Sequence, residues 1–342
     1  MTTTTRISDA FVPDRWYDWM NVDTTTKTAL FTSGVLQSNP EVAALLGGGG
    51  RTMNMPFWKD MSDDEPGIAS DDPAVESVAE KLTSGKDVCR RQLRTHSVSV
   101  ADLTPVLTGG DPLTRLREAS SRFWERHFQR TFVHHLTGLF TDNSTNDSGD
   151  MINDISNDDA TTATSAELVS AEAVIDAQHT MGDKNNVFSV IMMHSDVQKR
   201  LKKLNLIDFL PDSNGQVMFE SYLGLRIIVD DGCRKLTVAA GDTTNRSKYW
   251  TYLAAPGAAV WAESPTATPA EVKREPAQGN GMGVETIYMR RQYVMHVPGI
   301  KWTDTSVAGE FPSYADLKNV SNHDRVYAER KQIPLALLIT NG

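Results

Sequence analysis

Hydrophobic spacing divides the chain into unlike stretches. Residues 1–22 show little periodicity: a Thr-rich start gives way to Phe11, Trp16, Tyr17 and Trp19. This predicts an extended arm whose aromatics must be buried on the chain's own body or on a neighbour. Residues 24–36 and 40–46 read as short helices that stop at Gly47-Gly48-Gly49-Gly50. RTMNMPFWKD (51–60) and DVCRRQLRTHSVSV (87–100) read as strands, the second from its alternation of apolar and polar positions. Between them lie the acidic, Pro- and Gly-containing MSDDEPGIASDDP and a short helical piece, AVESVAEKL. Such a long two-stranded excursion is ordered best against another chain, because an isolated hairpin is marginal in water.

Asp111-Pro112 sets up a helix start, with Asp as cap and Pro in the first turn. Leu113, Leu116, Ala119, Phe123, Phe128, Phe132, Leu136 and Leu139 then recur mostly every three or four residues. This predicts a helix of about 40 Å at about 1.5 Å per residue, followed by a polar, turn-like 141–164. Thr164–Glu167 is a capping box that opens a helix to Met181, ended by Gly182. VFSVIMM (187–193) is a buried strand, and His194-Ser195-Asp196 caps the helix VQKRLKKLNL. YLGLRIIVDDG (222–232), KLTVAAG, KYWTYLAAPGAAVWA, VETIYMRRQYVMHV (284–297) and KQIPLALLIT add strands, with 265–283 as a Pro/Gly-rich loop. Strands and helices in this irregular order make an α+β protein, without the βαβα rhythm of a doubly wound sheet.

Composition narrows the class. The chain has 342 residues, with 39% hydrophobic and 23% charged, an ordinary globular balance. Its net charge of −10 lies in one place: 131–183 holds ten acids and no Lys or Arg. An acidic chain is a poor candidate for reading DNA sequence, since such binders normally carry a basic patch. Cys89 and Cys233 are too few for a disulfide framework or a structural zinc site. The N-terminus lacks the layout of a signal peptide, and no apolar run is long enough to span a bilayer. The expectation is a soluble intracellular protein with reduced thiols.

Candidate chemistry fails on inspection. His127, His134 and His135 invite a metal, but HExxH is absent and adjacent helical residues point about 100° apart. With Gly149 at the sixth position of a calcium loop, the twelfth is Ile155 and not the bidentate Glu. GGGGRT lacks the Lys of a phosphate loop, GNGMGVE precedes a strand where the dinucleotide motif follows one, and no GxSxG occurs. Basic neighbours could activate Cys89, but alternation makes it a strand residue, and Cys233 follows a turn. Arg115, Arg117, Arg122, Arg126 and Arg130 decorate the long helix as a solvated face, or as a contact for phosphates or acidic loops of a neighbouring chain. The site expectation is therefore no catalytic residues, no cofactor and no metal.

What remains is an arm, a long hairpin and a long helix that want neighbours. In that order of elements the chain resembles a tailed-bacteriophage major capsid protein of the Hong Kong 97 type. FVPDRWYDWM with SGVLQSNPEVAALLGGGGRTMNMPFWKD is similar to the arm entering the extended loop. DPLTRLREASSRFWERHFQRTFVHHLTGLF is similar to the spine helix, and VFSVIMMHSDVQKRLKKLNLID with QVMFESYLGLRIIVDD to the axial strand–helix unit. The resemblance implies a Hong Kong 97-like α+β capsid fold: N-terminal arm 1–50, extended β-hairpin loop (E-loop) 51–108, peripheral domain 109–164 and 284–342, and axial domain 165–283. It implies a structural, non-enzymatic coat protein that self-assembles as hexamers and pentamers into an icosahedral phage head enclosing the genome. Expected partners are further copies of itself, a separate scaffolding protein (the chain begins almost at the arm), a portal, decoration proteins and weakly held packaged DNA, with no membrane. The expected location is the virion capsid, assembled in the host cytoplasm. Some relatives crosslink through a Lys–Asn isopeptide; Lys59, Lys81 and Lys86 lie in the loop, but nothing in the sequence brings an Asn and an acid to them, so no crosslink is expected. An encapsulin-like nanocompartment shell is the runner-up. A hydrolase built on the histidines, or a tail-tube or decoration protein, are more distant readings.

Overall fold

Asn39 starts the first helix by accepting hydrogen bonds from the amides of Glu41 and Val42, with Pro40 in the first turn. The computed structural model describes residues 33–61, 65–69, 71, 72, 74, 76, 77, 79–108, 112–157, 164–211, 217–237 and 247–341. The arm 1–22 and residues 24–32 of the helix expected over 24–36 lie outside them. In chain order the elements begin with β1 (Leu36–Ser38), α1 (Pro40–Gly47), β2 (Thr52–Trp58), β3 (Ser84–Arg90), β4 (Gln92–Ala101), α2 (Leu103–Thr108), α3 (Pro112–Asn146) and β5 (Ile152–Asp154). There follow α4 (Ala171–His179), β6 (Val190–Met193), α5 (Ser195–Lys203), β7 (Asp208–Pro211), β8 (Val217–Tyr222), β9 (Leu225–Val229) and β10 (Lys235–Thr237). The last are β11 (Ser247–Ala254), β12 (Ala259–Ser264), β13 (Ala270–Glu275), β14 (Val284–His296), β15 (Ile300–Trp302), α6 (Tyr314–Lys318), β16 (His323–Arg325) and β17 (Leu335–Thr340).

Several elements differ from the pattern reading. Leu36–Ser38 is a strand rather than the end of a helix, because it pairs in parallel with Ala259–Trp261. The strand expected over 87–100 is two: Cys89 and Arg90 are both buried, which breaks the alternation, and β4 leaves the hairpin to pair with β14. Among the described residues of 74–82 none is helical; so short a segment has no packing face to offset nucleation. The capping box at Thr164 closes only a 3₁₀ turn, Ser165–Glu167, because Leu168 is extended. The helix after it has its own cap, Ser170. The 265–283 loop contains β13, a charged edge strand that covers Val284–Met289 of β14.

The long helix outruns its expected end. It has 35 residues, about 52 Å at 1.5 Å per residue. Its polar last turns are held from within. The hydroxyls of Thr137, Thr141 and Thr145 each donate to the carbonyl four residues earlier. Asn143 is buried; it donates to Asp150 and accepts from the Met151 amide. Ser148 and Gly149 then turn the chain at positive φ.

Two sheets meet on this helix. One has the order β5-β17-β11-β6-β9-β8-β7, with β10 also on β11. In the other, β14 carries β4 on one edge and β12 and β13 end to end on the opposite edge, with β1 beyond β12. Trp124, Phe128, Phe132, Leu136 and Phe140 of α3 pack on Met192 and Tyr252 of the first sheet and Tyr293 and Met295 of the second. On the far face of the first sheet, α4 and α5 bury Ile191, Leu253, Ala336 and Leu338. Strands β6 and β17 are thus covered on both faces, which is why they read as unbroken apolar runs. The sheets cross the expected sub-domain boundaries. Hydrogen bonding from Tyr249–Ala254 draws Leu335–Thr340, and through it Ile152–Asp154, into the sheet of 165–283. Strands β12 and β13 belong with β14.

Candidate assembly interface

Among the described residues the hairpin of β2 and β3 pairs only with itself, from Thr52 opposite Arg90 to Trp58 opposite Ser84. Its root is buried and its outer part is not. Trp58, Met61, Ile68 and Leu82 are 71%, 65%, 83% and 57% exposed. Four large apolar side chains on one excursion mark a contact surface rather than scattered exposure.

The root is a polar lock. Asp87 is buried and accepts from His296 Nε2 at 2.8 Å and from the Gly299 amide at 3.0 Å. Burial pushes the Asp87 carboxyl up, but the bond and charge of His296 and the backbone amides outweigh it and hold the group below the usual carboxylate value. Three arginines then grip the segment after β15. Arg90 donates to the Glu310 carbonyl at 2.8 Å, lies 3.2 Å from Asp304, and faces the Phe311 ring. Arg94 donates to the Pro312 carbonyl and faces Tyr314, and Arg51 pairs with Glu310. Beneath them Cys89 packs with Met53, Leu46, Val42 and Val294. A rigid root with an exposed tip holds a contact surface away from the body.

The sequence candidates fall elsewhere. His127 sits between the hydroxyls of Tyr314 and Tyr293, 2.5 and 2.7 Å away. Burial, then Arg94 and Arg130, bring it down to about 4. His134 is likewise brought down to about 4 by burial, Lys318 and Arg130, and lies edge-on to Tyr314. His135 turns away from both and packs on His323 and Trp302, held neutral by burial. These are packing histidines. Among the described residues no three His, Cys, Asp or Glu side chains are placed to hold a metal. The calcium-like segment is the closed end of α3; Asp142 is buried there, and burial pushes its carboxyl up to about 6. The glycines of GNGMG form the β13–β14 turn at positive φ.

Both cysteines are buried. Burial and the Asp87 charge push the Cys89 thiol up to about 12, and burial with Asp230 and Asp231 pushes Cys233 well up. Neither is expected to react with a thiol-specific chromogenic reagent at pH 8 in the native protein, while both react in denaturant. Rapid native labelling of either would contradict this placement.

Of the helix arginines, the side chains of Arg115 and Arg117 lie outside the described residues. Arg126 and Arg130 border a groove of about 540 Å³ with His134, Ser195 and Asp230. A larger, mainly apolar groove of about 780 Å³ lies on the other flank of α3, lined by Leu116, Trp124, Pro269, Val272, Ile287 and Met289. Pattern reasoning located the exposed hairpin but missed its root. Asp87 and His296 lie 209 positions apart, and the signal available was a lone Asp inside an otherwise alternating strand.

An excursion locked at its root and apolar at its tip is the equipment of a subunit that tiles. Residues 143–334 match the model of the Gp13-like family, described as major capsid protein 13-like. Over 330 residues the chain is 32% identical to the major capsid protein of Bacillus phage SPP1, covering 96% of this chain and 95% of that one. This chain belongs to the Gp13-like major capsid protein family. The capsid of Ralstonia phage GP4 superposes with a TM-score of 0.60 at 12% identity, covering 100% of this chain and 98% of that one. The cyanophage Pam1 capsid superposes at 0.58 with 10% identity, covering 96% of each. The expected Hong Kong 97-like α+β capsid fold is therefore the observed one. As a member of the Gp13-like family the chain is a structural coat protein, and the encapsulin-like alternative is not favoured.

Proposed function

We propose that this coat protein tiles as hexamers and pentamers into a closed icosahedral head around the phage genome, and that the hairpin carries the contact between neighbouring copies. The supporting observation is the hairpin's root, locked by Asp87, His296 and Arg90, beneath a tip bearing Trp58, Met61, Ile68 and Leu82. Contacts between copies in a ring are head-to-tail, so a tip on one face needs a receptor on another.

In this reading 1–50 is the arm and 51–108 the extended loop. The peripheral unit is built on α3 and the sheet of β14; the axial unit is built on the sheet of β6 and β11 and includes 335–340. Among the described residues the polar clusters are spent on packing and on the hairpin root, which supports a chain without a catalytic, cofactor or metal site. A scaffolding protein, a portal and decoration proteins complete the partner set, assembly takes place in the host cytoplasm, and contact with packaged DNA is weak. No described helix is long and apolar enough to cross a membrane.

Replacing residues 60–82 by a short glycine-rich turn keeps the last hairpin bond, from the Lys59 amide to the Thr83 carbonyl. The product is expected to be a folded subunit whose yield of closed shells in negative-stain electron microscopy falls at least tenfold. Normal shells from this variant would remove the hairpin from the assembly mechanism.

A further inference from the structure

The hairpin tip carries charge as well as apolar surface. From Asp60 to Glu80 there are eight acids (Asp60, Asp63, Asp64, Glu65, Asp71, Asp72, Glu76 and Glu80) and no Lys or Arg. The six of these within the described residues are all exposed. Segments this dense in one sign repel themselves and are ordered by an opposite surface.

The chain offers such a surface. Arg122, Arg126 and Arg130 recur every fourth residue on α3, which sets them in a row about 6 Å apart along the helix axis. Lys318, at the end of α6, extends the row: it and Arg130 both act on His134 between them. Arg130 and Lys318 are exposed and Arg126 is half-buried. Among the described residues no ion pair engages Arg126, Arg130 or Lys318. The two acids across the groove are occupied: Asp230 by Gln129 and the Gly232 amide, Asp231 by the Ser195 amide and His194. The cations of the sheet on the other flank of α3 are paired already, Arg290 with Glu271, Arg291 with Glu263 and Arg274 with Asp102.

We propose that the acidic hairpin tip, residues 60–80, docks on Arg126 and Arg130 of the row, with Lys318, of a second copy of this chain. This rests on the assembly reading above and deepens it by naming the receptor. Charge density selects the occupant. Residues 1–32 of the arm carry Asp9, Asp14, Asp18 and Asp23 against Arg6, Arg15 and Lys27, so they are close to neutral. The acids of 142–183 within the described residues are dispersed, and Asp150 and Asp183 are engaged by Arg325 and Lys331. The row would suit nucleic-acid phosphates on charge alone. The tip has the further need that its apolar side chains be covered. Exposed ion pairs are individually weak and screened by salt. Opposite fields on tip and row fix register and speed encounter, and repetition around a closed ring multiplies them.

Charge exchange tests this. Arg126→Glu with Arg130→Glu reverses the row, and Asp71→Lys with Glu76→Lys reverses the tip at two exposed positions. Each pair alone is expected to lower the yield of closed shells, measured by sedimentation and negative stain, at least tenfold against wild type. The four substitutions together restore it to within about threefold. Circular dichroism of the variant subunits confirms that each folds. Row-reversed shells that close normally but protect less DNA from nuclease would assign the row to nucleic acid and overturn the proposal. A fourfold variant no better than the worse pair would also overturn it. Wild type that forms no shells in the same preparation would instead sink the assembly reading itself, and this proposal with it.

Discussion

Gly138→Ala is expected to destabilise the subunit by about 2–4 kcal/mol, at the upper end of overpacking costs. Alanine normally gains about 1 kcal/mol over glycine inside a helix, so the sign depends on what the new methyl meets. A Cβ at 138 would lie 2.2 Å from the Leu317 carbonyl oxygen and 2.4 Å from His323 Nε2. Neither can swing aside, since the two are bonded to each other at 2.9 Å, and α6 crosses α3 here at close range. The helix would have to move off α6, which opens the buried packing of His135 on Trp302 and His323. Urea unfolding of purified subunits measures the effect, with Ser121→Ala at an exposed position of the same helix as control. A midpoint for Gly138→Ala equal to or above wild type would show that the crossing has slack the structure does not contain.

Asp87→Ala is expected to cost about 3–5 kcal/mol, the range for breaking one side of a buried ion pair. It strands the His296 ring nitrogen and the Gly299 amide in a site closed to water. The pH dependence carries a signature. The folded carboxyl of Asp87 sits below its ordinary value. Its contribution is therefore complete above about pH 4 and is lost as pH falls through the lower folded value. The histidines act in a higher window. His127, His134 and His323 are brought down to about 4, in each case chiefly by burial. Their contribution is complete above about pH 6.5 and is lost as pH falls from there towards 4. Wild-type stability is thus expected to decline in two stages on acidification, and Asp87→Ala to keep the upper stage and weaken the lower, to which the lowered carboxyls of Asp183, Asp196 and Asp231 also contribute. An unchanged profile in the variant would mean that Asp87 is not the ionised member of the root.

Where apolar spacing alone decides an element, the sequence was readable. The stripe from Leu116 to Leu139, the runs VIMM and LALLIT, and the cap at His194 all appear in their expected roles. The reading failed where long-range pairing overrides local pattern. Leu36–Ser38 is a strand only because β12 lies beside it, and β13 exists only because β14 needs a second edge partner. It failed again where polar residues are buried and satisfied, as at Asp142 and Asn143, since periodicity counts only apolar positions. The interface shows the same division. Composition exposed the acidic tip and the arginine row, but the lock joining Asp87 to His296 needs two strands brought together from opposite ends of the chain.

The threonine ladder on α3 bears on a demand that a closed shell makes of identical parts. A subunit among five neighbours meets them at a different angle from one among six, so something in the chain must flex. Thr137, Thr141 and Thr145 place a second donor on backbone carbonyls along their part of the helix. Hydroxyl donors of this kind lengthen and bend a helix without breaking its bonds. The three hydroxyls follow one face of the beam joining the two sheets, so a bow of the helix there would have one preferred direction. Such a bow would take up curvature inside the subunit rather than at the contacts between subunits.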